Sequence, residues 1–162
     1  MAADSQTATL RSNLSQGNNQ VRAFATGTTI TEATVEVTAA ASANSIYTMM
    51  RIPSSARITG LSKLSFDDLA STGSPTLDIG LKAVNANITT DPDALNDGIN
   101  CYSAASTATV VKDIANFGKE AWEYVSGAST DPGGFFDVIV TLADADANTG
   151  GTITMTLVFT LD

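Results

Sequence analysis

Apolar and polar residues alternate with a period of two along most of the chain from Thr31 onward. In EATVEVTA, Val35 and Val37 share one face and Glu36 takes the other. SIYTMMRIP groups Ile46, Thr48, Met50 and Ile52, and Pro53 ends the run. ARITGLSKLSFDD sets Ile58, Gly60, Leu64 and Phe66 on one side, with Leu61 and Lys63 opposite. PTLDIGLKAV turns Leu77, Ile79 and Leu81 inward against Asp78, Gly80 and Lys82. Such alternation marks strands of a sheet with one buried and one wet face.

The last two strands are the clearest. Phe136, Val138, Val140 and Leu142 alternate with Asp137, Ile139 and Thr141. TITMTLVFTL then sets Ile153, Met155, Leu157, Phe159 and Leu161 against Thr152, Thr154, Thr156 and Thr160. Burying one large apolar side chain contributes about 1.5–3 kcal/mol, so this strand gains roughly 10 kcal/mol before entropy is counted. It is expected at the centre of a sheet. The stretch DADANTGG between these two strands reads as a hairpin turn, with Asn148 and Gly150-Gly151 supplying the turn chemistry.

The middle of the chain is less regular. NANITTDPDALNDG, from Asn85 to Gly98, is rich in turn formers and predicts a surface loop. Weaker strands are expected at Ile99–Ala104 and Thr107–Ile114. GKEAWEYV predicts about two helical turns, with Trp122 packed against a sheet edge. About eight strands over residues 31–162 imply an all-β fold of two antiparallel sheets packed face to face. A jelly roll is preferred, because long middle loops suit Greek-key crossings.

Residues 1–30 follow neither period. SNLSQGNNQVRAFATGTT is polar, with apolar residues spaced at Leu10, Leu14, Val21 and Phe24. This stretch reads as an N-terminal arm, extended until something binds it; a tail without a partner is the plainer alternative.

Composition narrows the function. The net charge is −9, yet residues 1–31 hold Arg11 and Arg22 against Asp4 alone, a net of +1, which leaves −10 on the rest. A body so acidic repels nucleic acid at long range. No apolar run approaches the length of a transmembrane helix, and MAADSQTATL lacks the pattern of a secretory signal. Neither nucleic acid nor membrane is expected as a partner. Histidine is absent, which removes the commonest general base and the usual metal ligand. The single cysteine, Cys101, allows no internal disulfide and reads as a small strand residue in a reducing compartment.

Candidate chemistry is sparse. A calcium loop starting at Asp144 needs Gly at its sixth position and Glu at its twelfth; these are Thr149 and Met155. Asp91, Asp93 and Asp97 read as a solvated loop. The pairs Asp67/Asp68 and Glu120/Glu123 face no activated nucleophile, and no phosphate loop, GxSxG elbow or Cys-x-x-Cys occurs. The residues therefore predict no enzyme, no cofactor and no metal. RIPSSARI differs: Arg51 and Arg57 flank a Pro-Ser-Ser turn in an acidic body. They are either paired to local acids or a contact point for an acidic or carbonyl-rich partner.

RIPSSARITGLSKLSF, LDIGLKAV and KEAWEYVSGASTDPGGFFDVIVTLADADANTGGTITMTLVFT together resemble small head structural proteins of tailed bacteriophages, including capsid decoration (cement) proteins. The likeness runs over about residues 32–162. It implies a β-sandwich, a homotrimer, and a seat on the outer surface of the virion capsid after synthesis in the host cytoplasm. The partner is then the major capsid protein, with Leu10, Arg11, Leu14, Arg22 and Phe24 of the arm and the turn arginines Arg51 and Arg57 as the gripping residues. Catalytic residues are not part of that resemblance. The competing expectation is a tail-fibre or adhesin module that binds a receptor or glycan. Against it, aromatic residues are only 6% and fall mostly at inward positions.

Overall fold

Nine strands form in the computed structural model, which describes residues 27–84, 89–125, 127 and 129–161. They are β1 (Thr28–Val37), β2 (Ile46–Pro53), β3 (Arg57–Ile58), β4 (Lys63–Phe66), β5 (Thr76–Ala83), β6 (Asp91–Asn100), β7 (Ser106–Thr109), β8 (Phe135–Ala143) and β9 (Gly151–Thr160). Two antiparallel sheets pack together. One runs β1-β9-β4-β7, with β3 also paired to β9; the other runs β2-β8-β5-β6. The all-β sandwich expected from the alternation is present. The arm residues Leu10, Arg11, Leu14, Arg22 and Phe24 lie outside the described residues, and β1 begins three residues before position 31.

The inward rows make the core. Leu77, Ile79 and Leu81 of β5 meet Phe136, Val138, Val140 and Leu142 of β8, and Ile153, Met155 and Leu157 of β9 face them from the other sheet; all are fully buried. β9 is central, with β1 on one side and β3 and β4 on the other. Leu161 departs from expectation: it lies beyond the end of β9 and stays 39% exposed.

Other expectations fail for identifiable reasons. In β2, the pairing steps from Thr48 opposite Ile139 to Met50 opposite Val138, so Met49 is an extra residue. That bulge breaks the alternation and turns Met49 inward, leaving Ile46 and Thr48 exposed. Ile139 falls on the outward row of the alternation, yet it is fully buried. It pairs with Gly80, where an added Cβ would lie 2.3 Å from the Asp91 carbonyl oxygen and 2.2 Å from the Pro92 carbonyl carbon. The β6 backbone thus crosses the outer face of β5 at the one residue without a side chain.

That crossing also explains a further failure. Asp91–Asn100 is a strand, not a loop, but its register shifts between Leu77 and Ile79 and again between Ile79 and Leu81 of β5. Irregular pairing leaves no period of two to read. After Asn100 the chain turns, so the strand expected at 99–104 ends early, and β7 stops at Thr109, ahead of the buried Val110 and Val111. GKEAWEYV makes a single 3-10 turn, Ala121–Tyr124.

Finally, DADANTGG is not a hairpin. β8 and β9 belong to different sheets, and this segment carries the chain across. Apart from the short β3–β4 link and the β5–β6 hairpin, every connection changes sheet. The crossing is pinned: the Asn148 and Thr149 amides donate to the Leu69 carbonyl, and the Ala147 amide to that of Ala41.

Candidate binding surface

RIPSSARI is the corner at which the chain leaves one sheet for the other. Arg51 sits on β2 and Arg57 on β3, so the two arginines belong to different sheets. Between them, the Ala56 amide donates to the Pro53 carbonyl, closing a tight turn. The Ala121 and Trp122 amides donate to the Ala56 and Ser54 carbonyls, so the 3-10 turn clamps the corner from outside.

Both arginines are engaged. Arg51 grips Asp137 of β8 with two parallel bonds, Nε to Oδ1 at 2.7 Å and Nη2 to Oδ2 at 3.1 Å. Strand register dictates this, because the two residues are direct partners across the ladder. Arg57 donates from Nη2 to Glu120 Oε1 at 2.6 Å and from Nη1 to the Gly118 carbonyl at 3.1 Å. Glu120 also accepts from Trp122 Nε1, which holds the indole beside the corner. The Arg51 side chain is nevertheless 57% exposed, so one face of its guanidinium remains open to solvent.

The acidic candidates hold the fold together. Asp144 adopts φ 64° and accepts from Thr76 Oγ1; Asp146 accepts from the Ala43 amide at 2.7 Å. Both stay exposed, but each is tied to a neighbouring segment rather than left unpaired as at a hairpin tip. Asn148 accepts from the Ser71 amide and donates to the Thr72 carbonyl. Asp67 accepts from both the amide and the hydroxyl of Thr152, and those bonds hold its carboxyl below the ordinary value. Glu120 and Glu123 form a capping box around the 3-10 turn. Asp97 lies 3.8 Å from Lys112, and Asp93 is held above its ordinary value chiefly by a hydrogen bond with Asp91. Among the described residues, no three acidic or cysteine side chains converge as metal ligands would. Cys101 is buried, donates to the Pro75 carbonyl, and has its thiol pushed up to about 11 by desolvation.

What the alternation did not single out is an uneven distribution of exposed apolar side chains between the two ends of the sandwich, although both ends carry carboxylates, with Asp91, Asp93, Asp113, Glu120, Glu123 and Asp131 at the end where β9 finishes. At the end where β9 begins, the crossings 38–45, 67–75, 101–105 and 144–150 carry Asp67, Asp68, Asp144 and Asp146 and no lysine or arginine. At the opposite end, β1 starts and β2, β5 and β9 finish. Here Ile30, Leu61 and Ile114 are 69%, 71% and 78% exposed, and Phe117, Val84 and Phe135 are also open. Of the large apolar side chains left exposed among the described residues, only Ile46 lies at the end where β9 begins. Leu61 carried a legible signal, an apolar residue at an outward position of an alternating run.

No family model matches the sequence, and no curated protein does. The fold, however, recurs. A chain of the Cyanophage Pam1 capsid asymmetric unit aligns over 100% of this chain and 93% of its own length, with a TM-score of 0.56 and 15% identity. A chain in the capsid of Ralstonia phage GP4 aligns over 83% of this chain and 84% of its own, with a TM-score of 0.61 and 19% identity. This sandwich is a fold found in phage capsids. At these identities the likeness is one of architecture, and no site residues transfer through it.

Proposed function

We propose that the chain is a structural protein of a phage virion, and within that class a capsid decoration (cement) protein. It binds the outer surface of the head as a homotrimer and holds capsid subunits together against the pressure of packaged DNA. The observation that carries this reading is the full-length sharing of its fold with a chain of a phage capsid asymmetric unit. The strand order, with nearly every connection crossing between sheets, supports the jelly-roll form of the sandwich.

In this reading the partner is the major capsid protein, and no catalytic residue is required. Leu10, Arg11, Leu14, Arg22 and Phe24 reach adjoining capsid subunits, while Arg51 and Arg57 contribute through whatever face their ion pairs leave open. Three modest contacts on one trimer act together, so occupancy rises steeply once a first contact forms. The test compares virions with and without the protein. Undecorated heads are expected to lose DNA at lower temperature; equal stability would remove the cement role. Deleting residues 1–26 leaves β1 intact and is expected to abolish head binding, whereas unchanged occupancy would exclude the arm.

A further inference from the structure

The outer face of the five-stranded sheet carries a patch of hydroxyls. Thr34, Thr154, Ser65 and Thr107 stand in one row across β1, β9, β4 and β7, each the ladder partner of the next. In the neighbouring row, Thr152 pairs with Glu36 on one side and bonds Asp67 on the other. Here an open hollow of about 290 Å3 is lined by Ser65, Asp67, Ser106, Thr107, Thr152 and Thr154. We propose that this hollow is a binding site for a neutral saccharide, with Asp67 as its main acceptor. The site rests on the sheet alone and does not depend on the capsid reading.

Asp67 gives only one oxygen to the fold. Its Oδ2 accepts from the amide and the hydroxyl of Thr152, both at 2.8 Å, while Oδ1 accepts nothing from the described residues. The two bonds fix the carboxylate and keep it ionised, so its second oxygen is a positioned acceptor. The hydroxyls supply donors. Thr34 and Thr154 share one hydrogen bond at 2.8 Å, and Ser65 and Thr107 share another at 3.2 Å. Each pair holds two hydroxyl hydrogens and uses one, so each keeps one to donate and lone pairs to accept. The Ser106 hydroxyl bonds no other described residue.

That inventory selects the chemistry of the ligand. An amine only donates, and leaves the spare hydroxyl hydrogens unused. An anion meets the Asp67 carboxylate in a chain of net charge −9. An apolar molecule strips water from the hydroxyls and returns no bond. A neutral polyhydroxylated molecule both donates and accepts, so it can replace the displaced water bond for bond. The two rows lie roughly 7 Å apart, two residues along a strand. A sugar ring with hydroxyls on neighbouring carbons bridges that span, donating to Asp67 at one edge and meeting Ser65 and Thr107 at the other. Its rigidity spares the rotor entropy that an open-chain polyol loses. The hollow matches the lower end of small-ligand sites, about 300 Å3, which suits one sugar residue. Phe66 is the one aromatic residue in the lining and is buried, so no ring is open for stacking. Binding by hydrogen bonds alone is expected to be weak, with a Kd on the order of 1–10 mM.

The experiment follows backbone amide NMR signals of the full-length chain during titration with methyl glycosides of glucose, galactose and mannose. Glycerol and methylammonium are titrated in parallel. At least one glycoside is expected to give saturating shifts at Ser65, Thr107, Thr152 and Thr154, with none from glycerol or methylammonium over the same range. Asp67→Asn is expected to weaken binding about tenfold or more, because its amide nitrogen cannot accept if its oxygen keeps the Thr152 bonds. Thr107→Val, an exposed change of equal shape, is expected to weaken it about threefold. Lys82→Ala, on the other sheet, should bind as the wild type. Absence of saturation with every glycoside would overturn the site. So would an equal response to glycerol, saturation by methylammonium, or wild-type affinity in both Asp67→Asn and Thr107→Val.

Discussion

The Ser62 hydroxyl bonds both backbone groups of Val158, accepting from its amide at 3.0 Å and donating to its carbonyl at 3.1 Å. Ser62 sits where β3 has left β9 and β4 has not yet joined it, so a buried side chain replaces one rung of the ladder. Ser62→Ala leaves the Val158 amide without a partner and is expected to cost about 1–3 kcal/mol. Urea unfolding checks it through a lower midpoint at unchanged slope.

Gly80→Ala is expected to be among the worst single-methyl additions in the molecule. The new Cβ would meet the Asp91–Pro92 backbone at under 2.5 Å, and backbone cannot swing aside as a side chain can. Overpacking of this kind costs about 1–3 kcal/mol or more. Hydrogen exchange should show β6 losing protection while β8 and β9 keep theirs.

Cys101 should be silent to thiol reagents in the native state and reactive in urea. Its unfolded thiol ionises near the ordinary 9.0 and its folded thiol only at about 11, so in that window the unfolded chain binds fewer protons. Stability therefore falls as pH rises through it, and is fully present below. Comparing wild type with Cys101→Ala at about pH 8 and pH 10 isolates the effect; equal losses in both would assign it to other groups.

A chain ending before Ile153 should not fold. It would lack Ile153, Met155, Leu157 and Phe159, and β1 and β4 would lose the strand that joins them. Native-like circular dichroism from that fragment would contradict the central role of β9.

Legibility followed regularity of pairing. β5 and β9 alternate cleanly in sequence because each is flanked by strands on both sides and turns one row into the core, so their inward rows are legible almost to the residue. β2 and β6 were misread where the ladder itself is irregular: an extra Met49 in one, and a backbone that climbs over Gly80 in the other. The sheet-changing role of DADANTGG was hidden because a hairpin and a crossing call for the same turn residues, and only the partner strands distinguish them. Arg51 and Arg57 stood out as charges, but their partners Asp137 and Glu120 are more than 60 positions away along the chain. The apolar end was least visible, since it gathers single residues from five separate segments.

The position of β9 also sets the order of events during synthesis. Thr28 waits for Thr160, and β1 and β4 share no pairing until β9 slides between them. The sheet containing β8 and β5 can close earlier, while the other stays open until nearly the whole described chain has left the ribosome. Folding should therefore be slow and limited by this late, long-range closure. Until then the nascent protein has no finished end to offer a partner.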